Sequence, residues 1–137
     1  KKILFPRLRK QDVQAIKEYF SELKDALGHK YSNALTHNDL AWAHILWDSK
    51  NKQVNIIDFS DRAFGDPAID FSGLFEYGTK FTEKVFQLYS GKKDEQMLKR
   101  SQLYFKRIPL SIMKNSLQGR PVNFEQGYKK FKKVFKV

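Results

Sequence analysis

The sequence predicts a mainly helical α+β domain in which a small β-hairpin presents two loops. Three observations predict it. Apolar residues recur at three-and-four spacing through Val13, Ile16, Phe20, Leu23 and Leu27, and helical patterning returns after Gly78. Between these regions lie only short apolar runs, Ala34-Leu35-Thr36, Ile45-Leu46-Trp47 and Val54-Asn55-Ile56-Ile57, each too brief for a helix and bounded by polar residues. A length of 137 residues with 41% hydrophobic and 15% aromatic content suits one packed domain with a core rich in rings.

The elements follow in order. The first helix is expected over 11–27, with Gly28 standing where a left-handed C-terminal cap is wanted. Three short strands come next, the last two joined by the turn segment Asp48-Ser49-Lys50-Asn51-Lys52 into a hairpin. Asp66-Pro67 then opens another helix, because Asp is a favoured N-cap and proline has no N–H to leave unpaired in a first turn; it should run to Tyr77, with Gly78 ending it. Further helices are expected over 79–90, 94–116 and 122–135, punctuated by Gly91, Gly119 and Pro121, with Pro109 predicting a kink or break in the second of them.

Composition removes several chemistries. With no cysteine there are no disulfides, zinc-thiolate sites or thiol nucleophiles, and a cytoplasmic location fits. No apolar run is long enough for a transmembrane helix or signal peptide, so a soluble protein without a membrane partner is expected. The net charge of +11 is uneven: residues 129–136, KKFKKVFK, carry five lysines. Yet Phe124, Tyr128, Phe131 and Phe135 recur among them at helical spacing, which reads as an amphipathic helix with one packed face and one solvated lysine face. Nucleic acid is therefore not the expected partner, although a non-catalytic fragment binding an anionic partner stands as an alternative reading.

The chemistry is concentrated in Thr36-His37-Asn38-Asp39-Leu40-Ala41-Trp42-Ala43-His44-Ile45-Leu46 and in Ile56-Ile57-Asp58-Phe59-Ser60. Phosphoryl transfer asks little covalent help of a protein. It needs a metal to neutralise phosphate charge and a carboxylate to orient the attacking hydroxyl and accept its proton. Asp39 precedes one hairpin strand, His44 closes the same loop five positions later, and Asp58 ends the next strand, so the hairpin would carry all three to one edge. Singly, each has an ordinary explanation, Asp39 as a cap or turn residue and His44 as a half-buried ring. Together, in this order, the two carboxylates and the histidine suit phosphoryl transfer through a metal.

The pattern His-x-Asp-x4-His, hairpin, Ile-Ile-Asp-Phe-Ser resembles the catalytic and metal-binding loops of the protein-kinase-like superfamily. It is most similar to aminoglycoside phosphotransferases, and within them to the 2''-phosphotransferase group, over residues 34–78, and more weakly at Leu103-Tyr104-Phe105 and Ile108-Pro109-Leu110. The resemblance implies the C-terminal helical lobe of a protein-kinase-like fold, with Asp39 as catalytic base, His44 and Asp58 as magnesium ligands reaching the phosphates of ATP or GTP, and an aminoglycoside-like hydroxyl acceptor. It implies structural roles for His37, Asn38, Asp66 and Asp70, and leaves Glu76 as a candidate acceptor contact. Ser60 departs from the glycine most relatives carry there. Another hydroxylated small molecule remains an alternative acceptor, because between Phe71 and Lys80 the chain offers a polycation only Glu76, and then Glu83.

One part of such an enzyme is not legible in the chain. No Gly-x-Gly occurs, no strand lysine precedes the catalytic loop, and only one helix stands before it. The nucleotide-covering N-terminal lobe is therefore expected to be absent, with the chain a partial C-terminal lobe that is inactive alone.

Overall fold

The computed structural model describes residues 2–137. Its helices are α1 (Lys10–Leu27), α2 (Ala68–Ser72), α3 (Thr79–Leu88), α4 (Met97–Leu117) and α5 (Phe124–Phe135). Its strands are β1 (Ala34–Thr36), β2 (Ile45–Asp48), β3 (Gln53–Ile56) and β4 (Ala63–Gly65). The chain gathers into two compact units, Lys1–Asp25 with Lys106–Val137, and Ala26–Phe105.

The second unit carries the strands. β2 and β3 form the expected antiparallel hairpin in the register Ile45↔Ile56 to Asp48↔Gln53. Its turn is held by Asp48, whose carboxylate accepts from the N–H groups of Lys50 and Asn51 and from the Asn51 amide, while Lys52 takes the left-handed conformation. β1 finds its partner not in the hairpin but in β4, a strand the sequence did not announce, pairing Ala34↔Gly65, Leu35↔Phe64 and Thr36↔Ala63. The buried Thr36 hydroxyl adds a bond to the Ala63 carbonyl at 2.9 Å. Three residues are too few to show alternation, and the partner lies far along the chain, so local pattern could not reveal the pairing.

The helix expected from Asp66 to Tyr77 is α only over Ala68–Ser72 and tightens into a 3-10 turn over Gly73–Tyr77. Gly78, at φ 101°, ends that turn in a conformation that favours glycine. Around α2, Ala68, Phe71, Leu74 and Met97 form a buried cluster, with Ile45, Val85, Phe86, Tyr89 and Tyr104 packed against it. Phe71 meets the Phe86 and Tyr89 rings edge-on at centroid distances of 5.4 and 5.3 Å, the arrangement favoured by the ring quadrupole.

In the first unit α4 continues through Pro109 without the break predicted there. More than two turns of helix stand before the proline and two after it, and its ring is fully buried, so packing outweighs the single lost backbone bond. Asn123 caps α5 by accepting from the Gln126 N–H. The expected amphipathic pattern holds: Phe131 is buried, Phe124, Tyr128 and Phe135 are half-buried, and Lys129, Lys132, Lys133 and Lys136 are exposed. The Phe135 ring meets Phe131 at 4.5 Å and Tyr19 at 5.6 Å. Burial also pushes the Tyr19 hydroxyl pKa up to about 12. Among the described residues, no helix is long and apolar enough to cross a membrane.

Candidate active site

The loop between β1 and β2 bears His37, Asn38, Asp39 and His44, and its backbone is held from beneath. Asp70 on α2 accepts from the His37 N–H at 2.9 Å and from the Asn38 N–H at 2.8 Å, one carboxylate oxygen for each. Asn38 is thereby kept at φ 66°, a conformation asparagine tolerates better than most residues. The His37 ring is buried and its Nε2–H donates to the Ile57 carbonyl at 2.8 Å, joining this loop to the end of β3. A carbonyl only accepts, so the proton of His37 sits on Nε2.

His44 closes a 3-10 turn over Trp42–His44. Its Nδ1–H donates to the Asp39 backbone carbonyl at 2.7 Å, which leaves the Nε2 lone pair free when the ring is neutral. Asp39 and Asp58 then flank the ring: Asp39 Oδ2 lies 3.7 Å from Nδ1, and Asp58 Oδ2 lies 3.7 Å from Nε2. Both contacts are too long for hydrogen bonds, and both carboxylates are more than half exposed. Asp58 sits in the left-handed region, φ 62°, where its Oδ1 accepts from the Ser60 hydroxyl at 2.6 Å and from the Ser60 N–H. The Ser60 bonds hold the Asp58 carboxyl below the ordinary carboxylate range and leave Oδ2 facing His44.

The three residues singled out for chemistry are thus brought together. Among the described residues, no group of three His, Cys, Asp or Glu side chains is gathered closely enough to hold a metal ion unaided. His44 Nε2 and Asp58 Oδ2 are the two adjacent donors a cation would meet. Glu76 is exposed on the 3-10 turn Gly73–Tyr77, against which the Trp42–His44 turn packs.

Asp66 is the hub of a buried network that the sequence did not disclose. Its Oδ1 accepts from the Ala68 N–H, which gives it the capping part expected of it at the start of α2. Arg100, fully buried on α4, donates Nε and Nη2 to Asp66 at 2.7 and 3.0 Å, and Nη1 and Nη2 to Asp94 at 2.7 Å each. The Tyr104 hydroxyl donates to Asp66 at 2.8 Å, and the Tyr31 ring covers the guanidinium at 4.6 Å. Burial and the Asp66 carboxylate push the Tyr104 hydroxyl well above its usual value, so it remains a donor. One signal for this cluster was present: Arg100 falls at the spacing of the buried Met97 and Ser101 and the half-buried Tyr104, where a solvated arginine has no place. Asp94 also shortens the helix expected from residue 94, since it accepts the Gln96 and Met97 N–H groups in a turn and α4 begins only at Met97.

This pair sets a pH dependence. The Arg100 guanidinium holds the Asp94 carboxyl below its ordinary 3.8. A carboxyl whose folded pKa is depressed contributes stability that is complete above the unfolded value and is lost as pH falls through the folded one. The thermal midpoint is therefore expected to drop on acidification below about pH 4, and Asp94→Asn to flatten that drop; an unchanged slope in the variant would refute the assignment.

A family model described as the phosphotransferase enzyme family, APH, matches residues 4–98. Aminoglycoside 2'-phosphotransferase-IIIa, solved as its GDP complex, is similar to 97% of the chain at 23% identity and a TM-score of 0.80. The GDP and kanamycin complex of APH(2")-IIia is similar to 96% of it at 24% identity and a TM-score of 0.81. A thermostable mutant of the aminoglycoside phosphotransferase APH(4)-Ia matches 94% at 19% identity and a TM-score of 0.59. The chain spans 46% of the length of each of the first two. At these identities the structures establish the fold, the mainly helical lobe of a protein-kinase-like architecture. With the family model covering most of its residues, the chain belongs to the APH phosphotransferase enzyme family.

Proposed function

We propose that this chain supplies the base-and-metal half of a small-molecule phosphotransferase, one that moves the γ-phosphate of ATP or GTP to a hydroxyl of an aminoglycoside-like acceptor. The observation that carries the reading is the flanking of His44 by Asp39 and Asp58, each at 3.7 Å. Asp39 has an exposed carboxylate with room to orient an acceptor hydroxyl and take its proton as the new O–P bond forms and the bond to the nucleoside diphosphate breaks. The Nδ1–H bond to the Asp39 carbonyl fixes the His44 ring with Nε2 toward Asp58.

The residues present fit magnesium. This ion takes few protein ligands and completes its shell with water and phosphate oxygens, so the free Asp58 oxygen suits it, while the His44 imidazole, a softer donor than the oxygens magnesium prefers, would be its second protein ligand. Bound there, it would neutralise charge on the transferring phosphate. His44 and Asp58 are the residues that would hold it.

The grip on the nucleotide, a glycine-rich turn and a strand lysine, must come from a covering lobe that these residues do not form. Support for such a lobe lies on the hairpin, where Trp47, Val54 and Ile56 are exposed large apolar residues. The relatives' GDP and kanamycin complexes support a nucleotide donor and an aminoglycoside acceptor for the whole protein. The single carboxylate, Glu76, between Phe71 and Lys80 in a chain of net charge +11 favours, as a second reading, a less cationic hydroxylated acceptor.

The test uses the 137-residue chain and a protein carrying both lobes. The chain alone, with magnesium and ATP or GTP, is expected to show no turnover, and robust turnover abolished by Asp39→Ala would overturn the incomplete-site reading. In the two-lobed protein Asp39→Ala is expected to lower kcat by roughly a hundredfold or more, with KM little changed. Failure to phosphorylate any member of an aminoglycoside panel would remove that acceptor class.

A further inference from the structure

A second site stands in the first unit, which contains none of Asp39, His44 and Asp58, and it is independent of the phosphotransferase reading. A cavity of about 650 Å³ is bounded by the N-terminal segment, α1 and α4, within the size range of small-molecule pockets. Its construction follows from helical spacing. On α4, Arg107, Leu110, Ser111 and Lys114 fall at intervals of three and four and share one face. On α1, Ile16 and Phe20 are one turn apart.

The floor is apolar and sealed: Leu4, Ile16 and Leu110 are buried. The walls are apolar and open, since Ile3 and Phe20 remain 45% and 46% exposed. The charge is of one sign. Lys2, Arg107 and Lys114 are exposed at the lining, no Asp or Glu lines the cavity, and no ion pair engages these three cations among the described residues. An apolar hollow left open to water with two cations spaced two helical turns apart beside it is complementary to a ligand that joins an apolar body to an anionic head.

We propose that this cavity binds a monomeric anionic amphiphile, a single acidic head on an apolar tail of fatty-acid type. The tail lies on Ile16, Phe20 and Leu110, and the head meets Arg107 or Lys114. Charge complementarity selects this occupant. A nucleotide would press its polar sugar against Ile3 and Phe20, and a cationic amphiphile would set like charges together.

Calorimetric titration of the whole chain with dodecanoate, below its micellar threshold, tests the proposal. Saturable uptake of one molecule per chain is expected, with dodecyltrimethylammonium not bound. Reversing both helix charges, Arg107→Glu with Lys114→Glu, is expected to weaken uptake roughly tenfold, since an attraction becomes a repulsion. These side chains are exposed, so the fold should survive, and circular dichroism would check it; Phe20→Asp provides an independent block on the apolar wall. No saturable uptake, equal uptake of the cationic amphiphile, or uptake unchanged in the variants would overturn the proposal. So would binding to phosphatidylglycerol vesicles without binding of the monomer, which would make the face a membrane-surface contact instead.

Discussion

Arg100→Leu is expected to destabilise the protein by about 3–5 kcal/mol, because it strands buried carboxylate charge that the guanidinium now neutralises. Arg100 is fully buried and makes four charge-assisted bonds, two to Asp66 and two to Asp94. Leucine fills part of the volume but supplies no donor. Against a total stability of roughly 5–15 kcal/mol, such a loss is a large fraction of what holds the chain folded. With a urea slope of about 2 kcal/mol/M, the unfolding midpoint should fall by roughly 2 M, and a fall under about 0.5 M would show that the network is worth little. Adding Asp94→Asn to Arg100→Leu should restore part of the loss, since it removes one of the stranded charges. The effect should reach the candidate site. Asp66 caps the start of α2, and Asp70, one turn on, holds the His37 and Asn38 amides, so those amides should exchange with solvent faster in the variant.

Gly73→Ala is the second large effect, and two opposed terms decide its sign. Gly73 has φ −65° and ψ −27°, an ordinary helical conformation, so alanine there should by itself stabilise by about 0.5–1 kcal/mol. The added Cβ would however overlap the Leu40 carbonyl oxygen and lie 2.9 Å from the Leu40 carbonyl carbon and 3.3 Å from Ala41 Cα. These are backbone atoms of the loop that carries Asp39, and they cannot rotate away as a flexible side chain would. Overpacking of this kind costs about 1–3 kcal/mol, so the clash wins and the net change is destabilising. The displaced segment adjoins Asp39, and its carbonyl-anchored partner His44 should shift with it. Chemical-shift changes confined to Gly73 and its immediate neighbours, with an unmoved melting temperature, would refute the close approach.

The relation between sequence and structure differs element by element. The hairpin was legible because Ile45-Leu46-Trp47 and Val54-Asn55-Ile56-Ile57 lie on either side of a turn whose Asp48 and Asn51 form the bonds such residues favour. α1 and α5 were legible because their apolar faces repeat every three or four residues over several turns. β4 and the change to a 3-10 turn at Gly73 were not, since the first depends on a distant partner and the second on a loop packed against it.

The same division runs through the candidate site. The sequence by itself determined which groups were available, His37, Asp39, His44, Asp58, Asp66 and Asp70, because phosphotransferase chemistry demands particular residue types in a particular order and that order is local. Only the tertiary structure decided how they stand. Asp70 reaches across more than thirty residues to hold the loop, the Asp39 carbonyl selects the His44 tautomer, and Ser60 occupies one oxygen of Asp58 while the other faces the ring. Arg100 could be seen as an arginine in a core-facing position, but not as the partner of Asp66 and Asp94. Hydrogen bonds and buried charges are satisfied in space rather than along the chain, so their partners become visible only once the chain has folded.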